Sequence, residues 1–395
     1  MAAIEEVYEY EKVLKGVLHS LENSKICEPD KGLIEKFSRY LFAQGLSYGR
    51  IIKYTIEARK VAETLNKPLL EVVKEDIIEL VQKIERKSDY TEYTKHDYKL
   101  TVKKLFRFIE GTEDYPEKVR WIKLTTKKNA HKLPEELLIE DEVNRMAEVA
   151  RTPRDRALVL VLYDSGCRIG EMLSLKIRNV QFDNYGAVLI VDGKTGMRRV
   201  RVIASASALA NWISIHPLRD NTDASLWISL GTNSRDLPLK HRTACELLKT
   251  LAKKAGIKKR IYPHLFRHSR ATHLANHLTE AQLKQHFGWV QSSDMASTYV
   301  HLSGRDVDRA LLKLNGMEVS EEKDEKSFRA LICPRCKGRN SPDAKFCTQC
   351  GLCLDVKTAI EIDETRAKAD RLMTELVKRP DILDHLLKAV EEINK

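Results

Sequence analysis

The segment Asp164–Leu175 reads DSGCRIGEMLSL and joins two stretches of helical pattern. A helical run over Pro153–Asp164 precedes the turn at its start. Arg168 then stands at the beginning of a second helix, and Glu171 follows three residues later. Because residues three apart on a helix are neighbours, Arg168 and Glu171 are predicted to share one face.

The sequence that follows this segment changes from helical to strand pattern. Two alternating runs, Ala187–Asp192 and Arg199–Ile203, are separated by a short stretch that contains Gly193 and Gly196. Such a pair of runs indicates a β-hairpin. Helical pattern resumes from Leu239. The predicted fold class is therefore mainly α with a small antiparallel β-sheet.

The region before the hairpin-containing domain is helical throughout. Residues 31–133 hold 23 Lys or Arg against 15 Asp or Glu, which predicts a small basic helical bundle. The segment Lys118–Pro134 has six basic residues, no acidic residue and no apolar stripe. It is predicted to be an exposed connector, either a solvated linker or a strand that lies along phosphates. The predicted helices of the bundle lie near residues 31–44, 47–65, 72–87 and 92–110.

Composition limits the class of protein. The 395 residues include 68 Lys or Arg and 57 Asp or Glu, so the net charge is +11, and 43% of the residues are hydrophobic. The positive net charge favours a polyanionic partner. The hydrophobic fraction is large enough for the chain to bury a core. The apolar run Ala157–Tyr163 has seven residues, whereas a membrane span needs about 20. We expect a cytoplasmic protein with no membrane partner.

A cysteine cluster lies near the end of the chain. Cys333 and Cys336 form one CxxC pair, Cys347 and Cys350 form another, and Gly351 follows where a tight turn needs no side chain. This spacing suits four thiolates around a structural zinc, as in a zinc ribbon. A rubredoxin-like iron site and four reduced surface thiols are the alternatives. The ribbon and the C-terminal helix could each contact protein, and the ribbon could also contact DNA.

These patterns divide the chain into seven predicted regions. They are an N-terminal helical extension (1–30), a basic helical bundle (31–117), a basic linker (118–136), a domain that contains the hairpin (137–316), an acidic linker (317–330), a zinc ribbon (331–355) and a C-terminal helical tail (356–395).

Several cationic residues precede one late tyrosine. Lys194 lies at the predicted hairpin tip, His264 and Arg267 lie one turn apart on a helix, and Trp289 precedes Tyr299. Each has an ordinary structural explanation when taken alone, such as a solvated lysine or a half-buried tyrosine. Their order and their surrounding sequence suggest a shared site.

In these motifs the chain resembles the tyrosine recombinase (phage integrase) family, and its archaeal members in particular. The resemblance spans 137–316, and the helical bundle resembles the family's core-binding domain. The matching residues are Arg168 in SGCRIGEML, Lys194 in GKTG, His264 and Arg267 in HLFRH, Trp289 in FGW, and Tyr299 in TYVHL.

The resemblance implies attack on a DNA phosphodiester, and the residue types suit that chemistry. Negative charge builds on the phosphate oxygens, and Arg168 and Arg267 would hold them because a guanidinium can bind two oxygens at once. Tyr299 would be the nucleophile, and its ordinary pKa of ~10 requires help from a base. His264 would bind the phosphate or take the tyrosine proton.

The remaining residues would play supporting roles. Lys194 would protonate the departing 5′-oxygen, and Trp289 would pack against the site and offer its indole N–H to the phosphate. Glu171 would orient Arg168. The neighbouring histidines receive no catalytic role in this interpretation; they are His268, His286 and His301.

The implied activity is site-specific recombination through a 3′-phosphotyrosyl intermediate and a Holliday junction, with four protomers on double-stranded DNA. It would need no ATP and no catalytic metal. An integrase of a mobile element is the favoured interpretation. A chromosome-dimer resolvase, a relaxing topoisomerase and a DNA-binding regulator without cleavage are the alternatives.

Overall fold

The computed structural model divides the chain into two compact units, Met1–Lys132 and Leu133–Lys395. It describes residues 7–124, 136–193, 195–302, 311–312, 314–317, 330–342 and 344–378.

The first unit is a helical bundle with one continuous core. Large side chains such as Phe37 and Phe106 are fully buried and pack with aliphatic residues from each of the longer helices. The predicted helical segments agree with the observed ones to within about three residues. The helices are α1 (Tyr10–Glu22), α2 (Glu28–Ala43), α3 (Tyr48–Leu65), α4 (Lys74–Arg86), α5 (Glu92–Glu110) and α6 (Glu117–Arg120).

Local sequence sets the ends of the longest helix of this bundle. Thr91 precedes α5, and its hydroxyl accepts the backbone N–H of Thr94 at 3.2 Å, which satisfies one of the free donors of the first turn. Gly111 ends α5 with a φ of 63°, a conformation that glycine adopts without steric cost. Between these ends, Val102 and Phe106 lie one turn apart and face the core.

The prediction of an exposed connector is wrong over its first part. Val119 and Ile122 are buried in the core of the bundle. Lys118 donates to the carbonyl of Val72 at 3.1 Å and pairs with Glu110 at 2.9 Å. The two apolar side chains are too few to form a visible stripe, yet they are enough to fix α6 against the bundle. Residues 125–135 of the predicted linker lie outside the described residues.

The second unit contains the predicted helices and hairpin. Its first three strands form an antiparallel sheet in the order β1-β2-β3, with Ala187 opposite Val202. The elements before the cysteine cluster are α7 (Glu140–Glu148), α8 (Pro153–Ser165), α9 (Ile169–Leu173), β1 (Val180–Asp183), β2 (Gly186–Gly193), β3 (Gly196–Val202), α10 (Ala206–Ser214), α11 (His241–Lys254), α12 (Pro263–Ala275), α13 (Glu280–Phe287) and α14 (Met295–Leu302).

Helix α8 is the centre of this unit, and it is buried along its length. Asp164 near its end accepts the backbone N–H groups of Ile203 and Ser205 at 2.9 and 3.0 Å. The same carboxylate pairs with Arg270 of α12 at 3.0 Å. One buried acid thus joins α8, the end of β3 and the helix that carries the HLFRH motif.

The cysteine-rich region adds two short strands and one long helix. They are β4 (Leu331–Ile332), β5 (Arg339–Asn340) and α15 (Val356–Val377). The predicted fold class, mainly helical with small antiparallel sheets, is confirmed. Within the described residues, none of the helices has the length and apolar character that crossing a membrane requires.

A buried acid of the first unit allows a test of its packing. The carboxylate of Asp30 accepts the backbone N–H of Leu69 at 3.0 Å. We expect Asp30→Ala to lower the free energy of unfolding of this unit by about 1–3 kcal/mol, because the substitution leaves a buried donor unpaired. Urea denaturation measures the loss. The exposed Asp114→Ala is the matched control, and equal stability of the two variants would contradict this account.

Candidate active site and metal centre

Helix α12 carries three residues of the predicted site region on one side. Pro263 occupies its first turn, where the missing N–H costs no hydrogen bond. His264, Arg267 and His268 follow at spacings of three and four residues, which place them on neighbouring positions of one face. The imidazole centroids of His264 and His268 are 5.4 Å apart.

Arg267 is a buried cation, with 3% of its surface exposed. Its Nη1 donates to the carbonyl of Gly166 at 3.0 Å, and its Nη2 donates to the carbonyl of Phe287 at 2.6 Å. The guanidinium also lies 5.5 Å from the ring centre of Trp289. Burial, and then the charge of Arg168, lower the pKa of Arg267 to about 10. Arg267 is therefore charged at neutral pH and held rigidly in place.

Arg168 stands immediately before α9 and pairs with Glu171, as predicted. The distance from its Nη1 to Oε1 of Glu171 is 2.8 Å. About a third of the Arg168 side chain is exposed, whereas Glu171 is buried. Burial by itself would raise the pKa of Glu171, but hydrogen bonds from Arg198 and Arg168 outweigh it and hold the pKa below its ordinary value.

Arg198 is a residue that the sequence analysis missed. It lies on β3, and its guanidinium reaches Oε2 of Glu171 at 2.7 Å and the carbonyl of His286 at 3.0 Å. A side chain at Gly288 would place Cβ only 2.9 Å from Nη1 of Arg198. The signal in the sequence was the two-residue alternation of β3, which puts Arg198 on the same face as the buried Val200.

The tip of the β2–β3 hairpin approaches the same group of residues. Lys194, the predicted tip residue, lies outside the described residues. Its neighbour Thr195 donates its hydroxyl hydrogen to the carbonyl of Gly288 at 3.2 Å. A Cβ on Gly193 would lie 2.5 Å from Oε1 of Glu171. Both flanking residues therefore place the end of the hairpin beside Glu171 and the turn before Trp289.

Tyr299 of α14 packs inside the unit, with 4% of its surface exposed. Its ring stacks on Trp289, with 5.4 Å between centroids and 4° between planes. Its hydroxyl and Nδ1 of His268 share a hydrogen bond. Burial raises the pKa of Tyr299 to about 12, although the charge of Arg267 opposes the shift. Tyr299 is therefore protonated at neutral pH and needs a base before it can attack.

The histidines near the site have different surroundings. His264 is exposed, and partial desolvation, followed by the charges of Arg267 and Arg168, lowers its pKa. His286 is packed against Ser165, to whose carbonyl its Nε2 donates at 3.0 Å, and burial lowers its pKa to about 4. His286 thus has a packing role. His268 contacts Tyr299, although the sequence analysis gave it no role; its place directly after Arg267 was the available signal.

The structure brings the described candidates into one site. Arg168 and Arg267 influence each other electrostatically, and both affect His264. Trp289 joins this group because the guanidinium of Arg267 lies over its ring. Tyr299 is connected to α12 by the hydrogen bond that its hydroxyl shares with His268. Such a site presents fixed positive charge beside a protected phenol.

The four predicted cysteines form a second cluster. Their sulfur atoms all lie within 4.8 Å of one another, with Cys333 and Cys350 at 3.6 Å and Cys336 and Cys347 at 3.5 Å. Tetrahedral zinc with Zn–S bonds of about 2.3 Å separates its sulfur ligands by roughly 3.8 Å. The cluster therefore fits a metal ion. Among the described residues, Cys353 stands apart, and its thiol donates to the carbonyl of Asp355.

Each CxxC pair is followed by a turn of the same type, and these two turns bring the four cysteines together. The backbone N–H of Lys337 donates to the carbonyl of Cys333, and that of Gly351 donates to the carbonyl of Cys347, each at 2.9 Å. Lys337 and Gly351 have φ values of 59° and 70°. The predicted tight turn at Gly351 is confirmed, and Lys337 makes the equivalent turn despite the steric cost of its side chain.

The cysteine-rich region packs against the turn between β1 and β2 of its own unit. The guanidinium of Arg339 lies 5.9 Å from the ring centre of Tyr185, at the turn between β1 and β2. A groove between the two parts is lined on one side by Phe182 and Ser207 and on the other by Lys337 and Gln349.

Known proteins resemble this chain in sequence. The phage integrase family profile matches residues 136–305. Tyrosine recombinase XerA of Pyrococcus horikoshii is 28% identical over 297 residues, which are 75% of this chain and 98% of that protein. XerA of Thermococcus kodakarensis is 30% identical over 250 residues, 62% of this chain and 82% of that protein. Transposase A from transposon Tn554 of Staphylococcus aureus is 26% identical and covers 51% of this chain and 58% of that protein.

Solved structures share the fold. The Tn1549 transposon integrase in complex with transposon right end DNA has a TM-score of 0.55 and 16% identity, and the match covers 72% of this chain and 99% of that chain. A lambda integrase tetramer bound to a Holliday junction has a TM-score of 0.52 and 16% identity, and the match covers 68% of this chain and 76% of that chain. At these identities the likeness shows the fold.

The buried contact of Arg198 with Glu171 predicts a large effect on stability. We expect Arg198→Met to cost about 3–5 kcal/mol of the free energy of unfolding, because it leaves the buried carboxylate with one partner fewer. Chemical denaturation followed by circular dichroism measures this loss. The exposed neighbour Arg199→Met is the matched control, and similar losses in both variants would mean that the contact does not support the unit.

Proposed function

Since the chain belongs to the phage integrase family of tyrosine recombinases, we propose that it cleaves and rejoins DNA through a 3′-phosphotyrosyl intermediate on Tyr299. The family resemblance inferred from the motifs is confirmed, and with it the activity class: the protein is a site-specific DNA recombinase. The observation that carries the proposed mechanism is the packing of Tyr299 with Trp289, beside Arg267.

In the proposed mechanism the two arginines bind the scissile phosphate. Arg267 contributes a charge fixed by two backbone carbonyls, and Arg168 contributes a charge oriented by Glu171. Cations already held in place stabilise the growing negative charge without reorganisation during the reaction. Arg168 is partly exposed, so its remaining N–H groups are available to a phosphate that approaches from solvent.

The other candidate residues would transfer a proton, bind the phosphate or position the nucleophile. Lys194 would protonate the 5′-oxygen that leaves, and the contact of its chain neighbour Thr195 with Gly288 supports this role. His264 is exposed and would bind the phosphate. Trp289 would hold the ring of Tyr299 and offer its indole N–H. Rejoining uses the energy stored in the phosphotyrosyl bond, so the proposed cycle requires neither ATP nor a catalytic metal.

The proposed substrate is double-stranded DNA, bound by four protomers during strand exchange through a Holliday junction. The net charge of +11 and the surplus of basic residues in the helical bundle support DNA binding. The structures of relatives bound to transposon DNA and, as a tetramer, to a Holliday junction support the assembly. We propose that residues 31–117 bind DNA, that 137–316 carry out catalysis, and that the protein acts in the cytoplasm.

We propose integration of a mobile element as the biological role. The similarity to transposase A of Tn554 supports this role, as does the cysteine-rich region beyond the matched family domain. The chromosome-dimer resolvase remains the second candidate, and the similarity to XerA of Pyrococcus horikoshii, of which the match covers 98%, is compatible with it. The regulator without cleavage is disfavoured because Arg168, His264, Arg267 and Tyr299 are all present. Recombination between two plasmids, compared with recombination inside one plasmid, distinguishes the first two roles.

The four cysteines are proposed to bind one structural zinc. The ribbon has few buried apolar side chains, so metal–thiolate bonds would supply most of its stability. The contact of Arg339 with Tyr185 would hold the ribbon to its own unit. The exposed basic residues of the ribbon would be able to bind DNA or another protein.

The proposed nucleophile predicts a specific loss. Tyr299→Phe retains the stacked ring but has no oxygen to attack, so we expect normal DNA binding and no covalent adduct. The measurement is trapping of a denaturant-resistant 3′-linked adduct on a library of nicked duplexes, without ATP and with a chelator. Tyr185→Phe, which changes an exposed phenol, is the matched control. An adduct formed by Tyr299→Phe would show that another residue is the nucleophile.

The proposed zinc predicts a defined response to chelation. Strong chelation should release about one zinc per chain and unfold residues 331–355, because the ribbon depends on the metal. Metal analysis and amide hydrogen exchange measure the two effects. Cys353→Ser should retain the metal, whereas Cys347→Ser should lose it. An intact ribbon in metal-free protein would contradict the proposal.

A further inference from the structure

Within the part of the chain that the structure describes, the hydroxyl of Tyr299 contacts one side chain that can accept a proton. Nδ1 of His268 shares a hydrogen bond with it, and the two rings have centroids 5.8 Å apart at 39°. Trp289, stacked on the phenol, has only an indole N–H donor, and Arg267 has only donors. Among the described contacts of this phenol, His268 is therefore the available base.

His264 is placed differently, although both histidines lie on one face of α12. The described hydrogen bond of the phenol is to His268, while the exposed ring of His264 lies toward the beginning of the helix. The half-buried His268 lies one turn further along, beside Tyr299. Helix α12 therefore holds the imidazole of His264 at the solvent and the imidazole of His268 against the phenol of Tyr299.

We propose that His268 is a further catalytic residue, the general base that takes the proton of Tyr299 as its oxygen attacks phosphorus. The inference rests on the proposed function and extends it. It leaves His264 free to bind the phosphate, a division of labour that the HLFRH motif encodes at two positions one helical turn apart.

The proton balance of the step is complete. The Tyr299 oxygen forms a bond to phosphorus while its proton moves to Nδ1 of His268, and the bond from phosphorus to the 5′-oxygen breaks. The 5′-oxygen receives a proton from Lys194. In rejoining, the 5′-hydroxyl returns its proton to Lys194 and its oxygen forms a bond to phosphorus. The bond from phosphorus to the Tyr299 oxygen breaks, and His268 returns its proton to that oxygen. No oxidant, reductant or further reactant is required.

The energetic need for this base follows from the burial of Tyr299. A phenol that is nearly fully buried does not lose its proton to water, because solvent has little access to the oxygen and the anion would lack hydration. The proton must move to a group already in contact.

The test is single-turnover cleavage of the nicked duplex on which the wild-type protein forms its adduct. We expect His268→Gln to slow adduct formation by about 10²- to 10⁴-fold with DNA binding retained, since the amide can accept a hydrogen bond but cannot take up the proton. His268→Ala should be equally slow and should recover activity when imidazole is added. His277→Gln changes an exposed histidine two residues beyond the end of α12. It is the matched control and should cleave at the wild-type rate.

A second substrate distinguishes the base that takes the proton of Tyr299 from the acid that protonates the leaving oxygen. A 5′-bridging sulfur in place of oxygen leaves as a thiolate and needs no proton. Replacement of Lys194 by Ala should then cause little loss, while His268→Gln should remain slow. Full recovery of His268→Gln on this substrate would assign His268 to the leaving group and overturn the inference. So would wild-type rates for His268→Gln, or failure of imidazole to rescue His268→Ala.

Two further outcomes are distinguishable. If the wild-type protein itself forms no adduct, the proposed function fails, and this inference fails with it. If both His268 variants lose DNA binding, histidine ¹⁵N resonances of the wild-type protein provide the measurement. The Nδ1 resonance of His268 should shift in Tyr299→Phe, and an unchanged resonance would overturn the inference.

Discussion

The interaction on which the second unit depends is the burial of one carboxylate between two guanidiniums. Glu171 has almost no access to water, so its charge is tolerable only because Arg168 and Arg198 are both hydrogen-bonded to it. These arginines come from different parts of the chain. Arg168 stands immediately before the short helix α9 and is proposed to bind the phosphate. Arg198 belongs to the hairpin and also binds the carbonyl of His286. A single acid therefore fixes three segments of the site relative to one another.

The burial of Tyr299 is the second constraint, and it has a chemical consequence. A phenol packed between aromatic rings is well positioned, but burial raises its pKa to about 12 and leaves it protonated. Positioning and activation thus oppose each other, and a base within the same packed group resolves the conflict. The half-buried ring of His268 satisfies that need without exposing the nucleophile to water. Burial also positions Arg267 at a cost to its charged form. It lowers the pKa of the guanidinium to about 10, but Arg267 remains charged at neutral pH.

The cysteine-rich region follows a different physical rule. Two identical turns bring the sulfur atoms of Cys333, Cys336, Cys347 and Cys350 together, and the region has too few apolar side chains for a conventional core. Metal–ligand bonds can replace that core, which is how a ribbon of about 25 residues can be stable. Contacts such as that of Arg339 with Tyr185 then attach the ribbon to the larger unit.

The helical bundle, the hairpin, the family and the cysteine cluster could all be predicted from the sequence. These depend on periodicity, on short motifs and on CxxC spacing, which are local properties. Helix ends such as Gly111 and the turn at Gly351 follow from single residues for the same reason. Tertiary structure alone decided the burial of Val119 and Ile122, the contact of Arg198 with Glu171 and the choice of His268 over His264 at Tyr299. Each of these joins residues distant in sequence or differs from its alternative by one helical turn, and only the packed chain determines which atoms meet.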